Sequence, residues 1–283
     1  MCNISILRQS LFLTETSASD VLDLIKHTAL KVISTILLVF WAAWCALVFV
    51  VLCAILFPVL LLAVLSGSDR IIRAAHFVPT RLARVAIFLF GIGLEIRGRE
   101  YIDPHGQYVY ISNHRSLLDA VIAGAVIPNY VKFLGKAEML QWPVLGYLLA
   151  KFYVPVQRQD SADRARSMQI MEEKIKTGCS FFICPESTCN TTTAFLTRFY
   201  NGAFRLSADT GVSLVPLTFV GSGDRWPRKG RQMIHPGKLI VYFHPAIPAS
   251  EFQEDKLAAG REKVENIIRA DLLRHYPSGS YAP

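Results

Sequence analysis

Residues 111–120 read ISNHRSLLDA, which places His114 five residues before Asp119, with Asn113 and Ser116 beside them. A carboxylate that accepts the Nδ1–H of an imidazole fixes the tautomer and leaves Nε2 as a base near neutral pH. Such a base suits removal of a proton from a hydroxyl. Five residues turn through about 500° on an ideal helix, so two helical side chains at this spacing would diverge. They meet only if His114 lies in the turn before a helix and Asp119 on its first turns. The run YVYIS at 108–112 reads as a buried strand, and an apolar helix from about Leu117 would complete that arrangement. Alone, the pair is a weak signal, because a capped turn with a solvated histidine fits the same residues.

The elements that would position it are legible from residue 90 onward. Short apolar or β-branched runs occur at 94–98, 108–112, 130–135, 152–156, 180–184, 213–219 and 239–243. Helical patterns separate them. Residues 161–178 start with Ser161 as a cap, carry Met168, Met171 and Ile175 on one side, and stop at Gly178. Residues 251–275 space Leu257, Val264, Ile267, Ile268 and Leu272 helically. Alternation of this kind predicts one α/β domain, a single mixed sheet flanked by helices, over 91–283.

The first quarter of the chain is of another kind. Val32 to Leu65 holds no charge, and 22 of its residues are Leu, Ile, Val or Phe. At about −0.3 to −0.6 kcal/mol for each such residue near a helix centre, membrane insertion is favoured. A span needs only about 20 residues, so the run is long for one helix. Pro58 is the expected break, giving a span near 33–57 and a short interfacial stretch. A re-entrant hairpin is the rival geometry. The expected organisation is an N-terminal segment (1–31), a membrane anchor (32–65), an interfacial helical linker (66–90) and the α/β domain. Lys26 and Lys31 precede the anchor, whereas Arg70, Arg73, Arg81 and Arg84 follow it, which predicts a cytoplasmic main domain. Those arginines also suit a helix resting on anionic headgroups. The net charge of +8 fits an anionic partner, and the apolar fraction of 52% favours a membrane surface over nucleic acid. The six cysteines match no common zinc spacing and are expected to be reduced, buried small hydrophobes.

Three further stretches bear on the pair: FLGKAEMLQWPVLGYL (133–148), FFICPESTCNTT (181–192) and SLVPLTF (213–219). With NHRSLLD, their order and separations resemble the four blocks of the glycerolipid acyltransferase superfamily, over roughly residues 85–245. FYNGAF and HPGKLIVYFHPAIP extend the likeness. The resemblance implies that His114 and Asp119 are the catalytic pair. It implies an acyl thioester, acyl-CoA or an acyl carrier protein, as co-substrate, with no metal and no further cofactor. Substrate binding is expected from Asn113, Arg115, Ser116, Lys136, Arg158, Glu186, Ser187 and Thr188. The family's third block reads Glu-Gly-Thr-Arg, its arginine helping to hold the acceptor phosphate. Here Glu186 and Thr188 are kept, but Ser187 replaces the glycine and Cys189 the arginine. A thiol makes no charged bidentate contact with phosphate. Lys136, then Arg158 and Arg198, are the candidate substitutes. The implied acceptor is 1-acylglycerol 3-phosphate, giving phosphatidic acid, with another lysolipid such as a lyso-aminolipid as the alternative. A lipid serine hydrolase using Ser116 or Ser187 with His114, and a silent lipid-binding protein, are the readings from other classes.

Overall fold

The computed structural model describes residues 18–136, 153–156, 160–228 and 233–281. Helix α1 runs unbroken from Ala18 to Leu65. It is the one helix among the described residues long and apolar enough to cross a membrane, with Ile25–Leu65 at a mean hydropathy of 3.2. Pro58, expected to break it, lies inside it. Proline removes one backbone donor, and a long apolar helix keeps the remaining bonds. Phe40, Val39, Leu62 and Leu65 stand exposed on its surface.

Two short helices follow, α2 (Asp69–Ala75) and α3 (Phe77–Leu89). They are tied to the α/β domain. Arg73 donates to the Thr177 carbonyl, and Arg84 Nε donates to Ala125 O at 2.6 Å. These two arginines are therefore engaged by the fold rather than offered to headgroups. Arg70 and Arg81 remain exposed, together with Ile71, Phe77, Val85 and Phe88.

Seven strands form one sheet among the described residues: β1 (Ile92–Arg97), β2 (Val109–Ser112), β3 (Val131–Lys136), β4 (Tyr153–Val156), β5 (Ser180–Ile183), β6 (Leu214–Val220) and β7 (Gly237–Phe243). Their order is β1-β7-β6-β2-β5-β3-β4. Only β6 and β7 pair antiparallel. Each expected strand run is present. Among the described residues the α-helices of this part are α4 (Leu118–Val126), α5 (Ser161–Lys176), α6 (Gly202–Thr210), the single turn α7 (Ser222–Arg225) and α8 (Leu257–His275). The cap of α5 is Asp160, whose side chain accepts from Ala162 N, and not Ser161.

The strands alternate their side chains between two buried faces. On one, Val109, Ile111, Phe181 and Leu214 meet Met171 and Ile175 of α5, Phe204 of α6, and Val264, Ile268 and Leu272 of α8. On the other, the Phe133 ring meets Phe182 edge to face, and Phe182 stacks on Phe219, in a row across β3, β5 and β6. From β2 the chain moves to β3, β4 and β5 on one side, then crosses to β6 on the other. The carboxyl end of β2 is thus the point where the winding reverses, where open α/β sheets form their crevices.

Candidate active site

The segment that leaves β2 at this reversal is Asn113–Leu117. Asn113 is fully buried and holds the turn to the neighbouring strand. Its Nδ2 donates to Phe219 O and its Oδ1 accepts from Phe219 N, both at 2.8 Å. The sequence expectation made Asn113 a substrate contact. Its amide is instead engaged on both sides by β6 backbone, so it positions the turn. Asn113→Ala removes both bonds and strands a buried N–H and C=O. We expect a loss of about 2–3 kcal/mol of unfolding free energy, seen as a lower denaturant midpoint.

Asp119 lies on the first turn of α4 and is fully buried. Its Oδ2 accepts from His114 Nδ1 at 2.8 Å, from Arg115 N at 2.8 Å and from Ser116 N at 2.9 Å. One oxygen therefore folds the turn and orients the imidazole, the arrangement the spacing required. The backbone of His114 is clamped as well. Its N–H donates to Glu186 Oε1 at 2.7 Å, and its carbonyl accepts from Asn190 N at 2.7 Å. The second Glu186 oxygen accepts from Thr197 N at 2.9 Å and Thr197 Oγ1 at 2.7 Å. Glu186 is thus a buried brace between the histidine turn and the 190s loop. Burial pushes its carboxyl up despite the donors from Thr197 and His114. For His114 itself, burial disfavours charge, but the Asp119 carboxylate bonded to its Nδ1 favours it. The ring's pKa lies above its ordinary value.

Ser116 is also turned inward. Its Oγ donates to Trp226 O at 2.7 Å and accepts from Leu118 N at 3.1 Å. It is engaged by backbone on both sides. Arg115 reaches to the 190s loop, where its guanidinium donates to Asn190 O at 3.3 Å and to the Thr192 carbonyl. It also covers the ring of Tyr281, 3.7 Å from the centroid. The C-terminal segment therefore helps hold the loop that carries Cys189. Nothing in the sequence singled out Tyr281 or Thr197, since each acts only through contacts distant along the chain.

Ser187 has φ of 63°, the left-handed region that glycine enters without cost. The glycine of the family's third block has its physical reason in this turn, and serine adopts it at a cost of about 1 kcal/mol or more. Thr188 is exposed, with its N–H on Glu186 O at 2.7 Å. Lys136 ends β3, but its side chain lies outside the described residues, as does all of Arg158. The expectation of buried cysteines holds for Cys45 and for Cys179, which is 2% exposed, but not for Cys53, which is exposed on α1, nor for the half-buried Cys184 and Cys189. Cys184 sits beside His114, and Cys189 Sγ approaches its Nε2 to 3.1 Å.

A cavity of about 790 Å³ opens beside His114. Its walls include Phe133, Met168, Phe182 and Phe199, with Ser187 at the histidine side. Arg198, Arg205 and Arg261 line the same cavity, next to Gly202 at the start of α6. These arginines, of which Arg261 also bonds Asn201 Oδ1 at 2.8 Å and pairs with Glu265, give a mostly apolar lining positive charge that favours an anion. The site thus joins an oriented base, an apolar cavity and an anion-friendly rim.

Comparison with known proteins gives this geometry a context. Residues 93–220 match the Acyltransferase family. The 1-acyl-sn-glycerol-3-phosphate acyltransferase BAT2, chloroplastic, of Brassica napus is 31% identical over 178 residues, which are 62% of this chain and 51% of that protein. The alpha 1-acyl-sn-glycerol-3-phosphate acyltransferase of Mus musculus is 24% identical over 217 residues, 74% of this chain and 75% of that one. The chain thus spans about half the length of the plant relative and three quarters of the mouse one. The crystal structure of the 1-acyl-sn-glycerophosphate acyltransferase PlsC from Thermotoga maritima superposes with a TM-score of 0.71 at 20% identity, covering 86% of this chain and 97% of that one.

Proposed function

We propose that this chain, whose residues 93–220 match the Acyltransferase family, moves a fatty acyl group from a thioester donor to a lysolipid hydroxyl. The observation that carries this reading is the Asp119–His114 pair, bonded at 2.8 Å, at the edge of a large apolar cavity. His114 Nε2 takes the proton of the acceptor hydroxyl. The oxygen attacks the acyl carbonyl, and the tetrahedral intermediate collapses with loss of thiol. Acyl-CoA and acyl carrier protein are the candidate donors. Helix α1 has a place in this scheme, because acceptor and product both reside in a bilayer. We place the catalytic domain on its cytoplasmic side, following the excess of arginine after the anchor.

The proposed acceptor is 1-acylglycerol 3-phosphate and the product phosphatidic acid. Relatives in Brassica and mouse carry that activity in their names. Cys189 cannot serve as the phosphate-binding arginine, but Arg198, Arg205 and Arg261 lie along the cavity in its stead. Arg205→Ala and Arg261→Ala should each raise KM for 1-acylglycerol 3-phosphate several-fold more than KM for a monoacylglycerol. An equal rise with both acceptors would remove the phosphate role and favour a phosphate-free lysolipid.

A further inference from the structure

The base atom that Asp119 leaves for the reaction already has a neighbour. Cys189 Sγ lies 3.1 Å from His114 Nε2, against 3.7 Å from Nδ1. On the other side of the ring, Nδ1 meets Asp119 Oδ2 at 2.8 Å. Thiol, imidazole and carboxylate thus stand in the order of a nucleophile, its base and the group that orients the base. The backbone holds the sulfur there. Asn190 N, in the peptide that follows Cys189, donates to the His114 carbonyl at 2.7 Å. The preceding residue, Thr188, donates its N–H to Glu186 O at 2.7 Å, while Glu186 accepts from His114 N. Cys189 is partly exposed, as a group that must meet a substrate has to be. Cys184 flanks the same ring from the cavity wall, but desolvation raises its thiol and favours the protonated, less nucleophilic form.

Resting on the acyl-transfer reading above, we propose that Cys189 is a further catalytic residue: it takes the acyl group from the donor thioester before the acceptor receives it. In the first half-reaction, His114 Nε2 accepts the Cys189 thiol proton and Sγ attacks the donor carbonyl. The carbonyl–sulfur bond to the donor breaks, and the departing thiolate takes the proton from His114. One thioester replaces another, so no oxidant, reductant or additional reactant is required. In the second half-reaction, His114 Nε2 accepts the proton of the lysolipid hydroxyl, whose oxygen attacks the Cys189 thioester. The ester forms, and Sγ leaves and recovers the proton from His114. The order follows from the geometry. In the resting enzyme the thiol occupies Nε2, and acylation removes its S–H and frees the nitrogen for a hydroxyl. A residue that replaces the block's phosphate-binding arginine therefore gains a chemical role in place of the electrostatic one.

The test uses the full chain in detergent micelles with palmitoyl-CoA or palmitoyl carrier protein, whichever supports turnover, and no acceptor. Label from the free thiol carrier should enter the acyl donor. The protein should gain one palmitoyl group, mapped to Cys189 and released by neutral hydroxylamine. Cys189→Ala should lose the exchange and at least about 10²-fold of turnover, as when one member of a cooperating set is removed. Cys189→Ser, which keeps the side-chain shape, should be folded and should also lack exchange. Near-normal turnover of Cys189→Ala, absence of exchange in the active wild type, or an adduct on Cys184 would overturn the proposal. His114→Ala separates the two readings. If it abolishes transfer while Cys189→Ala is fully active, only the thioester step falls; if it leaves transfer intact, the acyl-transfer mechanism itself falls.

Discussion

His114→Ala is expected to lower kcat/KM for acyl transfer by about 10²- to 10⁴-fold, the range for loss of a positioned general base. The ring bonds Asp119 and lies against Cys189. Its backbone N–H and C=O carry the bonds to Glu186 and Asn190. Alanine keeps both, so the variant should fold with a near-wild-type unfolding midpoint and still fail to turn over. The wild-type pH profile supplies a second readout. Burial disfavours the charged ring, but the Asp119 carboxylate raises the histidine above its ordinary pKa near 6.5. A base must be neutral to act, so activity should rise with pH along a limb displaced above 6.5 and be lost below it. A limb below 6.5 would contradict the assigned environment of the ring.

Asp119→Asn is expected to have an effect of similar scale, about 10²- to 10⁴-fold in kcat. Replacement of the orienting carboxylate by an amide in a serine protease, the standard worked case, costs about 10⁴ through the wrong tautomer. Here the demand on the oxygen is threefold, because His114 Nδ1, Arg115 N and Ser116 N converge on Oδ2. An amide can turn its oxygen to those donors, yet it has no charge to stabilise an imidazolium. Asp119→Ala removes the acceptor altogether. It leaves buried N–H groups of Arg115 and Ser116 without a partner and should also destabilise the fold by about 1–3 kcal/mol per group. The pair of variants separates chemistry from folding: the amide should reduce kcat with little change in the unfolding midpoint, and alanine should reduce both.

The features legible in the sequence were those set by local period and spacing. Seven apolar runs became seven strands because buried parallel strands need continuous apolar residues. The His114–Asp119 interval implied a strand–turn–helix, and β2, the turn and α4 supply it. What could not be read depends on contacts distant along the chain. Glu186 looked like a substrate ligand, yet 72 residues of separation close to a 2.7 Å bond with His114 N. Asn113 and Ser116 looked like site polar groups, but their side chains are engaged by Phe219 and Trp226 backbone from beyond residue 200. Pro58 read as a helix break because proline's local cost is known, whereas the apolar helix around it tolerates one missing donor. Cys189 was visible as a departure from the family's block, but its contact with the base was not, since spacing carries no information on where a turn points its side chains.

The most direct measurement follows thiol release and lipid products together, with the purified full chain, a labelled acyl thioester and 1-acylglycerol 3-phosphate in mixed micelles. The account predicts one labelled phosphatidic acid for every thiol released, with both signals lost in His114→Ala. Thiol release matched by free fatty acid, or an ester yield that persists without the imidazole, would contradict it.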